Sequence, residues 1–308
     1  MIHMTNHKKR MLVIYSKEAK HKELSEIISG AQIESKDAPL RHFYLLFGGD
    51  QKQGKIYYLN KLLEKETFLY FKKWRSNLAS GQFARCMAEI AQKNKIEFID
   101  KEVILNGGNG KFFQILKLSQ HNIPTPKTLA FIFTQEEISN LVKHVSDNFS
   151  FPIILKPNLG NHGKDVILVN TLSELKEILI GSTLVQKKTY LIQEFINHTE
   201  IYRALIFNKE ILYIQKRFVD KVSLTVNNSS LENTDLNDNL PEDVKSTCIK
   251  CAEVLSRDLC GIDIILTKNN FYILEVNPSP GIIYDLQNNR EFKAKFINSL
   301  VNYTANNE

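Results

Sequence analysis

Residues 260–281 read CGIDIILTKNNFYILEVNPSPG. Two runs rich in β-branched and aromatic residues, 262–267 and 271–276, flank Lys268, Asn269 and Asn270, the pattern of a hairpin with a short polar turn. If Thr267 and Phe271 close that hairpin, opposed residues keep a constant sum and Asp263 falls directly across from Glu275. Period-2 alternation puts Asn277 on the same face. Two carboxylates side by side repel each other unless a cation sits between them. Asp, Glu and Asn supply hard oxygen ligands, the set that suits Mg²⁺, an ion that commonly takes one or two carboxylates together with nucleotide phosphates. A solvated edge hairpin would carry the same acidic residues; Ile265 and Ile273, expected on the carboxylate face, argue that this face is covered.

Outward from the hairpin, residues 202–208 and 211–218 make a second hairpin around Asn208, Lys209 and Glu210, with Arg203 and Arg217 on its strands. The polar, Asn-rich residues 221–240 read as a loop over a cleft. Pro241 begins a helix through Arg257, and 291–303 is the last helix. Further upstream, 128–133 reads as a strand, Thr134 with Glu137 as a capping box for a helix to about Asn148, and 152–156 as the next strand. The loop PNLGNHGK at 157–164 then leads into another strand, 165–169. A glycine loop between two strands fits neither a Walker nor a Rossmann context, but its backbone N–H groups can close over a triphosphate; a tight surface turn is the plainer reading. Thr171 with Glu174 caps a helix ending near Gly181, and 190–195 is a strand. The sequence GNGK at 108–111 also lacks the Walker spacing. Lys111 could still meet phosphate through its own charge and the helix N-terminus it opens, or stand as a solvated lysine.

In the first hundred residues, 11–15 is a short apolar strand, 16–29 an amphipathic helix, 43–47 a second strand, and 76–94 a helix followed by a strand at 96–98. Residues 56–59 and 67–71 are possible strands. Alternating β and α elements imply a small parallel sheet, ending near Asn106. The 308 residues suit two or three lobes around a cleft, and 43% apolar with 24% charged residues is ordinary for a globular chain. No apolar run approaches the about 20 residues that span a bilayer. With no signal-peptide core, a cytoplasmic location is expected. Four cysteines fit that compartment; Cys248 and Cys251 form a C-x-x-C inside an expected helix, without the second pair of ligands a zinc site needs. Net charge of +6 and a pI near 8.9 favour anionic partners.

These motifs carry a resemblance. GIDI followed by ILEVNPSPGI resembles the metal-binding end of the ATP-grasp ligases, closest to the RimK-type glutamate ligases. The resemblance implies Asp263, Glu275 and Asn277 as ligands of Mg²⁺, two ions in the family, with Mn²⁺ a substitute. FPIILKPNLGNHGKDV resembles the family's glycine-rich loop, which implies that Lys156 meets the phosphates or the adenine side, with Gly160 and Gly163 above the triphosphate. Lys111 matches a further phosphate lysine. YLIQEFI resembles the adenine grip, implying Gln193, Glu194, Phe195 and Ile196. In HTEIYR the acidic residue expected at the ribose is displaced to Glu200, and Ile201 stands where close relatives carry Asp. Arg217 matches an arginine that faces the transferring phosphoryl group, with Arg203 the other catalytic candidate; either could be a surface charge.

The resemblance implies an α/β protein with α+β lobes: an N-terminal parallel-sheet domain (1–106), then two ATP-grasp subdomains (107–190 and 191–308) holding ATP between them. The chemistry it implies is ATP-dependent ligation. A carboxylate donor is phosphorylated to an acyl phosphate, and an amine acceptor (an amino acid, a peptide or a protein tail) then attacks to give an amide, ADP and phosphate. A homo-oligomer is compatible with this reading, and no membrane is involved. Two alternatives stay open: a nucleotide-sensing protein that keeps the fold without ligation, and a nucleic-acid binder suggested by the basic pI and the KKWR cluster at 72–75, although no nucleic-acid motif accompanies it.

Overall fold

The computed structural model describes residues 9–15, 33–73, 78–105, 110–132, 137–158, 166–181, 189–218 and 239–305. Strand β1 (Lys9–Tyr15) owes its place to the run Met11, Leu12, Val13 and Ile14, all fully buried. Such an unbroken apolar run fits a strand covered on both faces. It pairs in parallel with β2 (Ile33–Pro39) on one side and β6 (Thr67–Lys73) on the other. The parallel sheet is therefore present, but its membership differs from expectation. IESKDAP looks too polar for a strand, yet at the sheet edge only part of it needs burial. Residues 43–47 lie instead in β3 (Phe43–Gly48), which joins β4 (Gln51–Tyr58) and β5 (Lys61–Leu62) in a separate antiparallel sheet. The strand expected at 96–98 reduces to a single parallel bridge between Leu69 and Phe98. Helix α1 (Leu78–Lys93) packs Ala84, Met87, Ala88 and Ala91 into a core shared with both sheets, and α2 (Lys101–Leu105) follows. The helix expected at 16–29 lies outside the described residues, as does most of the loop at 221–240.

The middle of the chain forms an antiparallel sheet of β7 (Thr128–Phe131), β8 (Ile153–Pro157), β9 (Ile167–Val169) and β10 (Tyr190–Glu194), in the order β7-β10-β8-β9. Helix α3 (Lys111–Gln120) precedes it, and α4 (Ile138–Asn148) with α5 (Leu172–Gly181) cover its apolar face. The Thr171 hydroxyl accepts from the Glu174 N–H, and the Glu174 carboxylate reaches back to the Asn170 N–H, one residue beyond a standard capping box. Thr134 lies outside the described residues.

The last sheet, β12-β11-β13-β14, is antiparallel: β11 (Glu200–Phe207), β12 (Glu210–Phe218), β13 (Leu259–Leu266) and β14 (Phe271–Asn277). Against one face lies α6 (Glu242–Val254), which buries Cys248 and Cys251 beside Cys260 of β13. Burial pushes these thiols up, Cys248 to about 12, so they are inert packing groups. Against the other face lie α7 (Ile283–Asn288), not expected from sequence, and α8 (Arg290–Ala305). There Phe207 and Tyr213 meet Phe292 and Phe296, and the same core takes in Met11, Val13, Phe68 and Tyr70 of the first lobe. None of the described helices is long and apolar enough to cross a membrane.

Asp263 does face Glu275, but the hairpin is not regular to its tip. The last paired residues are Leu266 and Phe271, and Thr267 and Asn270 close the turn by hydrogen bonds. The register then slips by one between Ile264 and Asp263, leaving Leu274 as the extra residue. That bulge moves Ile273 opposite Ile264 and into the core under α6, so the expectation of Ile273 on the carboxylate face fails.

First and last lobes are also tied by a buried exchange. The Asp258 and Leu259 N–H groups donate to Asp100 Oδ1 at 2.7 and 3.2 Å, while the Asp100 N–H and the Tyr303 hydroxyl donate to Asp258 Oδ2 at 2.6 and 2.8 Å. Burial raises the Asp100 carboxyl from 3.8 to about 7, against the lowering pull of Arg257. The native state thus holds a proton here that the unfolded chain has released, and this contribution to stability, full below pH 4, is lost as pH rises through 7. Asp100→Asn should flatten the pH dependence of the urea midpoint between pH 4 and 7; an unchanged slope would place the titration elsewhere.

Candidate active site

The register of the last sheet sets Gln215, Arg203, Asp263 and Glu275 directly opposite one another across all four strands. Alternation adds Arg217, Gly261 and Asn277 to the same face. Within this row the Arg203 guanidinium forks onto Asp263, Nε to Oδ1 and Nη2 to Oδ2, both at 2.6 Å. Burial disfavours the Arg203 charge, but the contact with Asp263 more than offsets it and raises the guanidinium pKa. Lys111, at the start of α3, reaches across from a different element and donates to Glu275 Oε1 at 2.5 Å. Arg217 is buried, and its Nε donates to Gln215 Oε1 at 2.6 Å.

Lys156 of β8 is also buried and donates to Gln193 Oε1 at 2.8 Å; Gln193 is held in turn by its Nε2 bond to the Thr128 hydroxyl. Burial lowers the Lys156 ammonium from 10.5 to about 8, and Lys111 adds to this, while Glu275 and Asp263 act in the opposite sense. The middle sheet thus delivers a desolvated cation within the field of the carboxylate row. Four cationic side chains accompany two carboxylates, a balance that suits a polyphosphate.

The donor set fits Mg²⁺. Each carboxylate oxygen has two lone pairs, and the Arg203 fork takes one from each oxygen of Asp263. Glu275 is one-third exposed, and Asn277 Oδ1, which accepts from the Ser279 N–H at 3.1 Å, keeps a second lone pair.

Other expected residues are placed differently. Glu194 ends β10, its N–H donating to the Lys127 carbonyl and its carboxylate accepting from the Lys127 N–H. Phe195 pairs with the His198 ring, and the Ile196 carbonyl meets His198 Nδ1. Glu200 stands on the face of β11 opposite to Arg203 and is bound to Lys216 at 2.8 Å; the structure does not bring it to the row. Gly160 and Gly163 lie outside the described residues. The N-terminal amides of α3 are not directed at an open anion site: the Lys111 and Phe112 N–H groups donate to the carbonyl and Oδ1 of Asn158. A helix whose N-cap is Gly110 has no cap of its own and must borrow one, which is the signal for Asn158 that sequence reading passed over. Gln215 and Gly261 were also missed. A Cβ on Gly261 would stand 3.2 Å from Pro280, a tight contact, and 3.5 Å from the Arg203 stem, an ordinary one, so glycine gives Pro280 its room beside the strand.

Residues 109–300 match the RimK-like ATP-grasp domain. The chain belongs to the RimK-like ATP-grasp family. Among its relatives, the coenzyme gamma-F420-2:alpha-L-glutamate ligase of Methanocaldococcus jannaschii is 29% identical over 212 residues, 67% of this chain and 69% of that protein. A probable alpha-L-glutamate ligase of Vibrio atlanticus is 28% identical over 60% of each chain. Likeness of fold extends to the whole ATP-grasp chain. The ATP-grasp ligase PsnB, solved with precursor peptide PsnA2 and AMPPNP, superposes with a TM-score of 0.68 at 15% identity, covering 99% of this chain and all of that one. The macrocyclase MdnC, bound with precursor peptide MdnA from Microcystis aeruginosa, gives 0.66 at 15% identity, over 94% of this chain and 97% of the other.

The borrowed cap of this ATP-grasp chain has a measurable consequence. A Cβ on Gly110 would lie 2.6–2.9 Å from the Asn158 side chain. Gly110→Ala should displace that cap and lower stability by about 1 kcal/mol, as should Asn158→Ala. In the double variant the two costs should not add, because each removes the same bond; additive urea-unfolding energies would contradict the coupling.

Proposed function

We propose that this chain is an ATP-dependent carboxylate–amine ligase, working in the cytoplasm on a carboxylate donor and an amine acceptor that are amino acids, peptides or a protein tail. The observation that carries the reading is the cross-strand row, in which two hard carboxylates are each held by their own cation while Lys156 and Arg217 add further buried positive charge. The ligase names of the relatives and the peptide and nucleotide complexes of the structural neighbours support the same reading.

Asp263, Glu275 and Asn277 would hold Mg²⁺, two ions with Mn²⁺ able to replace them, and the metal would supply neutralisation of phosphate charge. Lys156 and Lys111 bind and orient the polyphosphate; Gln193 keeps Lys156 extended toward it. Phe195 and Ile196 flank the base. Arg217, its fork oriented by Gln215, receives the γ-phosphoryl group as a substrate carboxylate oxygen bonds to phosphorus and the bond to ADP breaks. The amine then attacks the acyl carbon, phosphate leaves with the electrons of the C–O bond, and the nitrogen gives its proton to solvent.

Hydroxylamine supplied with candidate carboxylates should trap the acyl phosphate as a hydroxamate, with ADP release dependent on the carboxylate. ADP release indifferent to every carboxylate would contradict ligation. Glu275→Gln should reduce turnover by about 100-fold or more while leaving the circular dichroism spectrum intact, since it removes one charge from the row; activity within tenfold of wild type would remove Glu275 from the metal site.

Affinity for ATP should also depend on pH. Lys156 carries its charge below about 8 and loses it above, so the calorimetric Kd should be flat at lower pH and rise above 8. Lys156→Met should abolish that rise and weaken binding by about 1.5–3 kcal/mol. A pH-dependent rise that persists in Lys156→Met would assign it to another group.

A further inference from the structure

On β10, in the interior of the middle sheet, alternation divides the side chains between two faces. Tyr190 and Ile192 join Ile153 and Leu155 of β8 in the apolar core under α4 and α5. Gln193 stands on the other face, directly opposite Thr128 of β7. Lys156 of β8 lies one diagonal step away on that face, opposite Leu191. Three polar side chains from three neighbouring strands thus share the face turned from the core. Gln193 and Lys156 are only 3% and 9% exposed, so their polar atoms draw partners from the protein rather than from water.

The bonds among these three run in one direction. The Thr128 hydroxyl has a single proton, which it donates to the Pro126 carbonyl at 2.8 Å. Toward Gln193 it can therefore only accept, and it does so from Nε2 at 2.8 Å. Lys156 can only donate, and its Nζ reaches Gln193 Oε1 at 2.8 Å. A reversed amide would turn its N–H groups against the ammonium, and its oxygen against a hydroxyl whose proton is already committed. Both ends thus specify the same orientation. Without the hydroxyl, Nε2 would be buried with no acceptor, and the amide would be drawn away from Lys156 toward other acceptors. We propose that Thr128 is a positioning residue: its hydroxyl sets the direction of the Gln193 amide, and the amide in turn holds Lys156 extended for nucleotide phosphate. That last step rests on the proposed ligase reading, in which Lys156 binds the polyphosphate; the orientation of the amide does not.

Thr128→Val keeps the β-branched shape that suits a strand and removes the hydroxyl. By calorimetry it should raise the Kd for ATP by about three- to tenfold, the worth of one hydrogen bond. Thr128→Ser, which keeps the hydroxyl, should restore most of the affinity. In Gln193→Met the intermediary is gone, so adding Thr128→Val should weaken ATP binding no further, whereas a general disturbance of the sheet would still be felt there. Nuclear magnetic resonance relaxation of the Gln193 side-chain amide, assigned by its loss in Gln193→Met and recorded without nucleotide, should show an ordered group in wild type and Thr128→Ser. In Thr128→Val the amide should be mobile. An equally ordered amide or an unchanged Kd in Thr128→Val, no rescue by serine, or a full effect of Thr128→Val in Gln193→Met would each overturn the proposal. A Kd indifferent to Lys156→Met would instead overturn the phosphate reading of Lys156, and the amide measurement would still decide the role of Thr128.

Discussion

The Arg203 fork on Asp263 is the constraint around which the functional sheet is arranged. It joins β11 to β13, two strands separated by about sixty residues, and fixes both oxygens of a carboxylate that would otherwise sit mostly buried beside Glu275. A buried ion pair contributes little net stability, because desolvation cancels most of its attraction; losing one partner is what costs heavily. Its value here is positional. The fork holds Asp263 in one orientation without using up its acceptor capacity, and the Arg203 stem passes close to Gly261, where an added Cβ would meet it at 3.5 Å. Lys111 does for Glu275 what Arg203 does for Asp263, from a helix whose own N-terminus is fastened to Asn158.

This arrangement joins all three lobes. The aromatic core between α8 and the last sheet continues into the first lobe's parallel sheet, and the Ser279 hydroxyl donates to the Lys72 carbonyl at the end of β6, so the loop after Asn277 rests on that sheet. From the other side, β8 brings Lys156, and Asn158 just beyond it secures α3 while its own N–H bonds to the Thr189 carbonyl. Helix α3 also packs Leu118 into the core of the last sheet, and Lys111 is bound to Glu275 there, so α3 is held between the middle and last sheets.

Sequence placed Asp263 opposite Glu275 from an assumed Thr267–Phe271 closing pair; pairing in fact starts at Leu266–Phe271, and the extra residue at Leu274 restores the register, so two departures from the regular hairpin cancel. It did not reveal the bulge at Leu274, since an extra apolar residue in an apolar strand alters no pattern. The parallel sheet was legible from the alternation of β and α elements that begins at β1, whereas β2 was hidden by the polarity an edge strand tolerates. Arg203, Arg217, Lys111 and Lys156 were identified by resemblance, but what they touch depends on sheet registers and on elements far apart in the chain. Gln215 and Asn158 were invisible for the same reason: a lone polar residue acquires meaning only from a partner that folding supplies. Glu200 shows the converse, a residue taken from the resemblance whose strand parity turns it to the face opposite Arg203.

The central claim is that the carboxylate row is balanced by its own cations, so a divalent ion binds only together with nucleotide phosphate. Electron paramagnetic resonance of Mn²⁺ tests it directly, in wild type and Asp263→Asn, with and without AMPPNP. Bound Mn²⁺ should appear in wild type when the nucleotide is present, be far weaker without it, and be lost in Asp263→Asn. Equal Mn²⁺ binding with and without nucleotide, or undiminished binding in Asp263→Asn, would contradict the account.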